Sequence, residues 1–328
     1  MDAPFDSARR RWMLSGAGLL TLTALGACTR TAQPGLRIGT NVWIGCEPLY
    51  LARELGKLDP ASVQLVEYPS ASEVLRAYRN QAIDGMVISL DELLGLASDG
   101  FDPRVVLVID ISHGADAVIG RAGMRSMRDL AGKSVAVERG ALGVYMLSRA
   151  LTLSGMQPGD VRVVHLESNE QPAAFRKGSV DAAVSFDPYR TQLLQAGGQT
   201  LFDSTRIPGE IVDLVAVRKS VLNERASEVT ALLAGWFGAI DFMRNDPKEA
   251  ARRMAIRLQT DAEQFLQAQQ GLRIPTRAEN LNMLGGSAPA LVQSGSRLMQ
   301  LMLEARLLHT HVNVENLLAP EPLLTLSP

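Results

Sequence analysis

A chain of 328 residues, 46% hydrophobic and 21% charged, has enough apolar material for a large core, and this excludes a disordered tail. Its formal net charge is −2, and beyond the extreme N-terminus no basic stretch interleaves with aromatics, which argues against a nucleic-acid partner and for small molecules.

Residues 1–28 read as an export signal. Arg9, Arg10 and Arg11 form a cationic start, and Trp12 to Ala27 is apolar, rich in small residues and too short for a comfortable membrane span. The stretch ends in "LGAC", which resembles the bacterial lipobox, so Cys28 is expected to carry a lipid and become the mature N-terminus. "RRRWML" also resembles a loose twin-arginine signal. Residues 29–35 then form a short tether. The thiol left is Cys46, which without a nearby histidine reads as a small buried filler.

From Leu36 short apolar runs alternate with helical patterns, the signature of an α/β fold with mainly parallel strands. The expected strands are "LRIGT", "SVQLVEY", "GMVIS", "VVLVID", "SVAVE", "VRVVHL", "AAVSF" and "VDLVAV". Two segments echo one another: "AYRNQAIDGMVISLDELLGLASDG" from Ala77 and "AFRKGSVDAAVSFDPYRTQLLQAGG" from Ala174 share an aliphatic-Asp pair and a Ser-x-Asp at the strand end. Asp84 and Asp181 are 97 residues apart, and Asp91 and Asp187 are 96 apart. Two units in such register imply two similar lobes. "VVLVIDISHGADAVIGR" is expected to carry the chain out of the first lobe and "IVDLVAVR" to bring it back, giving lobe 1 as residues 36–114 and 214–328 and lobe 2 as residues 115–213.

The last third is helical. Val229, Leu232, Leu233, Trp236, Phe237, Ile240 and Met243 recur at helical spacing, so Trp236 reads as core. Asp246, Pro247 and Glu249 mark one helix start, and Thr260 with Glu263 reads as a second capping box.

Catalytic motifs fail on inspection. "LAGKS" ends like a phosphate-binding loop, but Met127 stands where the first glycine is required. His113, His165, His309 and His311 match no zinc spacing, and no nucleophile elbow or dinucleotide fingerprint falls at a strand-to-helix turn. No catalytic residue, metal or cofactor is therefore expected. In an open α/β sheet, ligands bind beyond the carboxyl ends of strands, where Trp43, Ser89, Asp91, Gly140, Asp187 and Tyr189 all stand. Pro48 suits a first helical position beside Trp43, and "RGALG" (Arg139, Gly140, Ala141, Leu142, Gly143) makes a flexible helix start in the second unit. Two helix starts would favour an anion, whereas Asp91, Asp110, Asp187 and Asp213 would accept hydrogen bonds from an amine, with Trp43 and Tyr189 stacking on a ring or enclosing a cation. Each aspartate alone also reads as a helix cap or a salt-bridge partner. Glu47 completes the candidate set.

"NVWIGCEPLYLARELG", "DLAGKSVAVERGALGVYMLSRALTLSG" and "GSVDAAVSFDPY" together resemble the periplasmic substrate-binding proteins of ABC importers for nitrate, taurine, aliphatic sulfonates and thiamine pyrimidine precursors, over roughly residues 36–218. The resemblance implies a two-lobed Venus-flytrap (type II) fold that closes on one small solute. It also implies a periplasmic, lipid-anchored monomer and an ABC permease with its ATPase as partner. The turn with Trp43 would line the cleft from one lobe, and "RGALG" with Asp187-Pro188-Tyr189 from the other. A sensory module would have the same cleft. A pyrimidine-synthesising enzyme of similar fold would need a cysteine-rich motif that is missing here.

Overall fold

The computed structural model describes residues 35–140 and 142–326, so the expected signal, its Cys28, most of the tether and Ala141 lie outside the described residues. In chain order the first elements are β1 (Leu36–Asn41), α1 (Glu47–Glu54), β2 (Val63–Tyr68), α2 (Ala71–Arg79), β3 (Gly85–Ser89), α3 (Leu90–Ser98) and β4 (Pro103–Ser112). The middle of the chain holds β5 (Ala117–Gly120), β6 (Ser134–Val137), α4 (Leu142–Leu153), β7 (Arg162–His165), α5 (Gln171–Lys177), β8 (Ala182–Ser185), α6 (Tyr189–Gln195) and β9 (Gln199–Asp203). The chain then returns through β10 (Val212–Arg218) and continues as α7 (Lys219–Glu224), α8 (Ala226–Asn245), α9 (Pro247–Arg257) and α10 (Ala262–Gln269). It ends in β11 (Leu272–Arg273), α11 (Arg277–Leu284), α12 (Ala290–Glu304) and α13 (Glu321–Leu324).

Two sheets result, one ordered β11-β4-β10-β3-β1-β2 and the other β7-β6-β8-β5-β9. The expectation of mainly parallel strands is corrected to mixed sheets. Four pairings are parallel and five antiparallel. The reason lies in the exchange between sheets: β5 enters the second sheet from β4, β10 enters the first from β9, and each inserts against the local direction. The two connections, residues 113–116 and 204–211, are stitched together. Ser112 and Ser204 share a hydroxyl–hydroxyl bond of 2.7 Å, the Gly114 N–H donates to Ser204 Oγ at 2.6 Å, and the Ser204 N–H donates to the Asp116 carbonyl at 3.0 Å.

The sequence echo has a structural counterpart. Asp84, just before β3, accepts the Arg37 N–H at the start of β1, and Asp181, just before β8, accepts the Ser134 N–H at the start of β6, each at 2.9 Å. The same clamp, spanning 47 residues in both cases, sets the register of equivalent parallel strands. Gly85 has a packing reason: a Cβ there would lie 2.7 Å from Val217 Cγ1 and 2.9 Å from the Ala216 carbonyl, so only glycine lets β10 approach β3.

Helix starts follow local chemistry. Ser89 and Glu92 form a reciprocal capping box on α3, Thr276 and Glu279 another on α11, and Asp246 caps α9 ahead of Pro247. The second box expected at Thr260 is displaced by one residue: Asp261 is the cap of α10, accepting from the Gln264 N–H at 2.8 Å. Helix α8 buries Val229, Leu232, Leu233, Trp236, Ile240 and Met243 in the core of the first sheet. Each such side chain contributes about 1.5–3 kcal/mol of transfer free energy.

Candidate functional site

The two halves meet where β1, β3, β4 and β10 of one sheet end opposite β6 and β8 of the other. Trp43 leaves β1 in extended conformation and heads a single 3-10 turn, Ile44–Cys46, that leads into α1. Its ring packs edge-to-face on Phe186, the residue after β8, with centroids 5.1 Å apart. Phe186 in turn touches Tyr189 at 6.0 Å, so the aromatic contact crosses from one half to the other. Gly45 makes room for it. A Cβ there would fall 2.3 Å from both Trp43 Nε1 and Asp110 Oδ2, so the indole and the carboxylate flank a backbone that admits no side chain.

Beside this aromatic pair lie the carboxyls of Asp91, Glu92, Asp110, Asp116 and Asp213, all buried. Asp110 and Asp213 are register partners on β4 and β10. A bulge there inserts Ile109 opposite the Asp213–Leu214 step and turns the strand locally. Asn280 of α11 completes the broken ladder, accepting from the Val108 N–H at 2.7 Å and donating to the Val108 carbonyl at 3.0 Å. Asp91 accepts from Ser89 Oγ at 2.6 Å, and Glu92 Oε2 takes the Ser89 N–H at 2.9 Å. Asp116 Oδ2 and Ser185 Oγ are buried without a hydrogen-bond partner, whereas Asp110 is buried beside Asp213 and the Trp43 indole N–H, whose hydrogen bonding opposes the effect of its burial.

Burial dominates the electrostatics. Desolvation disfavours the charged form and raises Asp91, Glu92, Asp110 and Asp213 above the ordinary carboxylate range, with Asp91 adding to the rise of Glu92, and Asp110 to that of Asp213. Asp116 is pushed up to about 7, first by burial and then by Asp91, against a lowering by Arg190. Arg190 itself pairs with Asp187 at 3.3 Å.

A cavity of about 40 Å³ is lined by Asn41, Trp43, Ser89, Glu92, Asp116, Leu142, Phe186 and Asp213, among others. It has room for water, and for a larger solute only if the halves part. A wider groove of about 620 Å³ opens outside it, bordered by Ser72, Arg76, Arg79, Arg139, Gly140 and His165, with Glu167 and Glu170 balancing its charge. The larger volume is not the stronger site. Its arginines are exposed, whereas the inner cavity holds the buried, unpartnered groups. Ser72, on the wall of the groove, ties the halves together: its N–H donates to Glu138 Oε1 at 2.6 Å and its hydroxyl to Glu167.

Of the residues singled out in the sequence, Trp43, Ser89, Asp91, Asp110, Leu142 and Asp213 are brought together here. Gly140, at φ +67°, takes a left-handed turn and borders the outer groove, and Gly143 packs against Val137. Three others are engaged elsewhere. Glu47 is paired with Arg257 at 3.2 Å, and Arg257 lies 3.5 Å over the Tyr50 ring, so Glu47 serves the packing of α1 on α9. Asp187 accepts from the Thr191 N–H at 3.0 Å at the start of α6. Tyr189 reaches the site only through Phe186. Cys46 is buried, and burial raises its thiol well above the usual range. Sequence reasoning missed Glu92, Asp116 and Phe186. Glu92 reads as the N3 partner of a capping box, whereas Phe186 ends an expected strand immediately before a flagged aspartate.

The NMT1-like family profile matches residues 30–259. A protein of Escherichia coli (strain K12) named for the binding of aliphatic sulfonates is 30% identical over 200 residues, 58% of this chain and 62% of that protein. The alignment thus spans less than two thirds of that relative. The alkanesulfonate-binding protein SsuA from Xanthomonas axonopodis pv. citri, solved with MOPS bound, superposes with a TM-score of 0.72 at 18% identity, covering 86% of this chain and 96% of that one. The desulfurization enzyme DSZB superposes with a TM-score of 0.65 at 18% identity, covering 88% and 98%. These likenesses carry the fold, which is that of the periplasmic binding proteins.

Proposed function

The chain belongs to the NMT1-like family, and from that premise we propose that it captures a small organic solute between two lobes and presents it to an ABC permease. Lobe 1 is residues 36–114 and 214–328, and lobe 2 is residues 115–213, except that Val212 and Asp213 already pair with β4 in the sheet of lobe 1. The observation that carries this reading is the aromatic contact between Trp43 and Phe186, which come from opposite halves and close over a cavity lined by both. Each half supplies only part of the lining, so a solute would gain its full set of contacts in the closed state and shift the population toward it.

The titrating side chains that line the inner cavity, Glu92, Asp116 and Asp213, are carboxylates, and in this reading they bind the solute without turnover. In this reading the chain acts in the periplasm, anchored through a lipid on Cys28. Relatives named for sulfonates support the solute-binding role.

The test is a solution-scattering and thermal-shift screen of sulfonates, taurine, nitrate, aminopyrimidines and amines. Capture predicts compaction and stabilisation together with one class of solute, without chemical change. Trp43→Ala is expected to weaken that binding by about 2 kcal/mol. Turnover of any solute, or binding with no change of shape, would overturn the reading.

A further inference from the structure

Whether the solute is an anion or a cation can be read from what already fills the anion-binding positions. Three helix starts at the cleft, those of α2, α3 and α4, each have a leading amide engaged by a carboxylate of the chain itself, whereas α1, which starts beside Trp43, has no side-chain cap. At α2, the Ser72 N–H is held by Glu138 at 2.6 Å; at α3, the Ser89 N–H by Glu92 Oε2 at 2.9 Å; at α4, the Leu142 N–H reaches Glu92 Oε1 at 3.4 Å. A helix start is the place where a sulfonate or carboxylate would dock. Here the protein has put its own acids there.

The rest of the lining has the same sign. Glu92, Asp116 and Asp213 border the inner cavity, with Asp110 and Asp91 immediately behind. Asp116 is 3% exposed and borders the cavity, and its buried Oδ2 has no donor to meet it. An acceptor buried in this way calls for a donor from the solute. Arg190 is the cationic side chain that acts on Asp116, and it is engaged by Asp187. Trp43 and Phe186 add two aromatic rings to the wall, which favours a cation further. Among the described residues no three His, Cys, Asp or Glu side chains converge as metal ligands would, which turns the acids toward an organic group.

Building on the solute-capture reading above, we infer that the captured solute is an organic cation, an ammonium, amidinium or quaternary ammonium group on a small apolar or aromatic body. Its charged end is held by Asp116 and Asp213, with Asp110 behind them, and its body lies against Trp43 and Phe186. The protein would thus share a fold with sulfonate binders and have the opposite charge preference. A cation entering the inner cavity would favour the charged form of carboxyls that burial otherwise keeps protonated, whereas an anion would oppose it.

The experiment uses matched probes on the full chain. Benzylamine, phenylmethanesulfonate and phenylacetate keep one carbon frame and change the charge; tetramethylammonium and zinc chloride separate an organic cation from a metal. Melting temperature and radius of gyration are read together. Stabilisation and compaction by benzylamine or tetramethylammonium, with the sulfonate and carboxylate inert, is the expected result. Asp213→Asn should weaken the cation at least about tenfold, and Asp116→Asn provides a second variant should the first fold poorly. Binding of the sulfonate or carboxylate with the cations inert overturns the inference and leaves solute capture standing. A response to zinc alone, or to none of the cations, also overturns it. If no solute of either sign changes the shape of the molecule, the capture reading falls as well.

Discussion

Asp110 and Asp213 stand opposite one another on adjacent antiparallel strands, two buried carboxyls where a sheet would ordinarily pair apolar or oppositely charged side chains. Their proximity makes the first expectation thermodynamic. Asp213→Asn keeps the shape and removes a carboxyl that burial and then Asp110 hold well above the ordinary range, so the variant without solute should be more stable than the parent at pH 8 by roughly 1–2 kcal/mol. The gain should shrink toward pH 5, where the parent holds protons instead. Urea unfolding at the two pH values measures both.

The pH dependence of the parent follows from the same groups. Asp91, Glu92, Asp110, Asp116 and Asp213 all have folded-state values raised by burial, that of Asp116 to about 7. The folded chain therefore binds more protons than the unfolded one. Their stabilising contribution is full below the unfolded carboxylate range and is lost as pH rises through the folded values. Without solute, the melting temperature should fall between pH 5 and pH 8, the reverse of the behaviour of an ion-paired carboxylate. Calorimetry across that range checks the sign.

Gly45→Ala places a methyl group 2.3 Å from both Trp43 Nε1 and Asp110 Oδ2. One of the two must move. The substitution should cost about 1–3 kcal/mol, shift the tryptophan emission and reduce solute affinity. Fluorescence and equilibrium unfolding of the variant test all three.

Asn280→Ala removes the only side chain that bonds the Val108 N–H and carbonyl among the described residues. Those backbone groups are buried beside the bulge, so the loss should be about 2–3 kcal/mol. Because the bulge aims Asp110, solute affinity should fall although Asn280 is not among the residues that line the inner cavity. Titration of the folded variant separates this from simple unfolding.

Much of the fold is legible in the sequence because its strands are either short apolar runs or end in Gly and Asp. "GMVIS" and "VDLVAV" fall on β3 and β10, for instance. Strands β5 and β9 escape notice for a physical reason. "AVIG" is four residues ending in glycine and "QTLFD" is half polar, so neither shows a period before tertiary pairing fixes it. Strand direction also stays hidden, since nothing local records that β10 returns from the other sheet. At the site, aspartates at strand ends mark the acidic wall. Whether each one faces a cavity or caps a helix depends on its neighbours: Asp187 finds Thr191 and Arg190, whereas Asp213 finds Asp110. Glu47 is decided by a residue 210 positions away, Arg257, which no local pattern announces.

The hydroxyl pair Ser112–Ser204 bears on how the halves would move. Two independent tethers could bend, twist and slide separately, giving a loose joint with several soft modes. Tied side to side, they would bend together, so a movement of one half against the other would follow one shared axis in place of several.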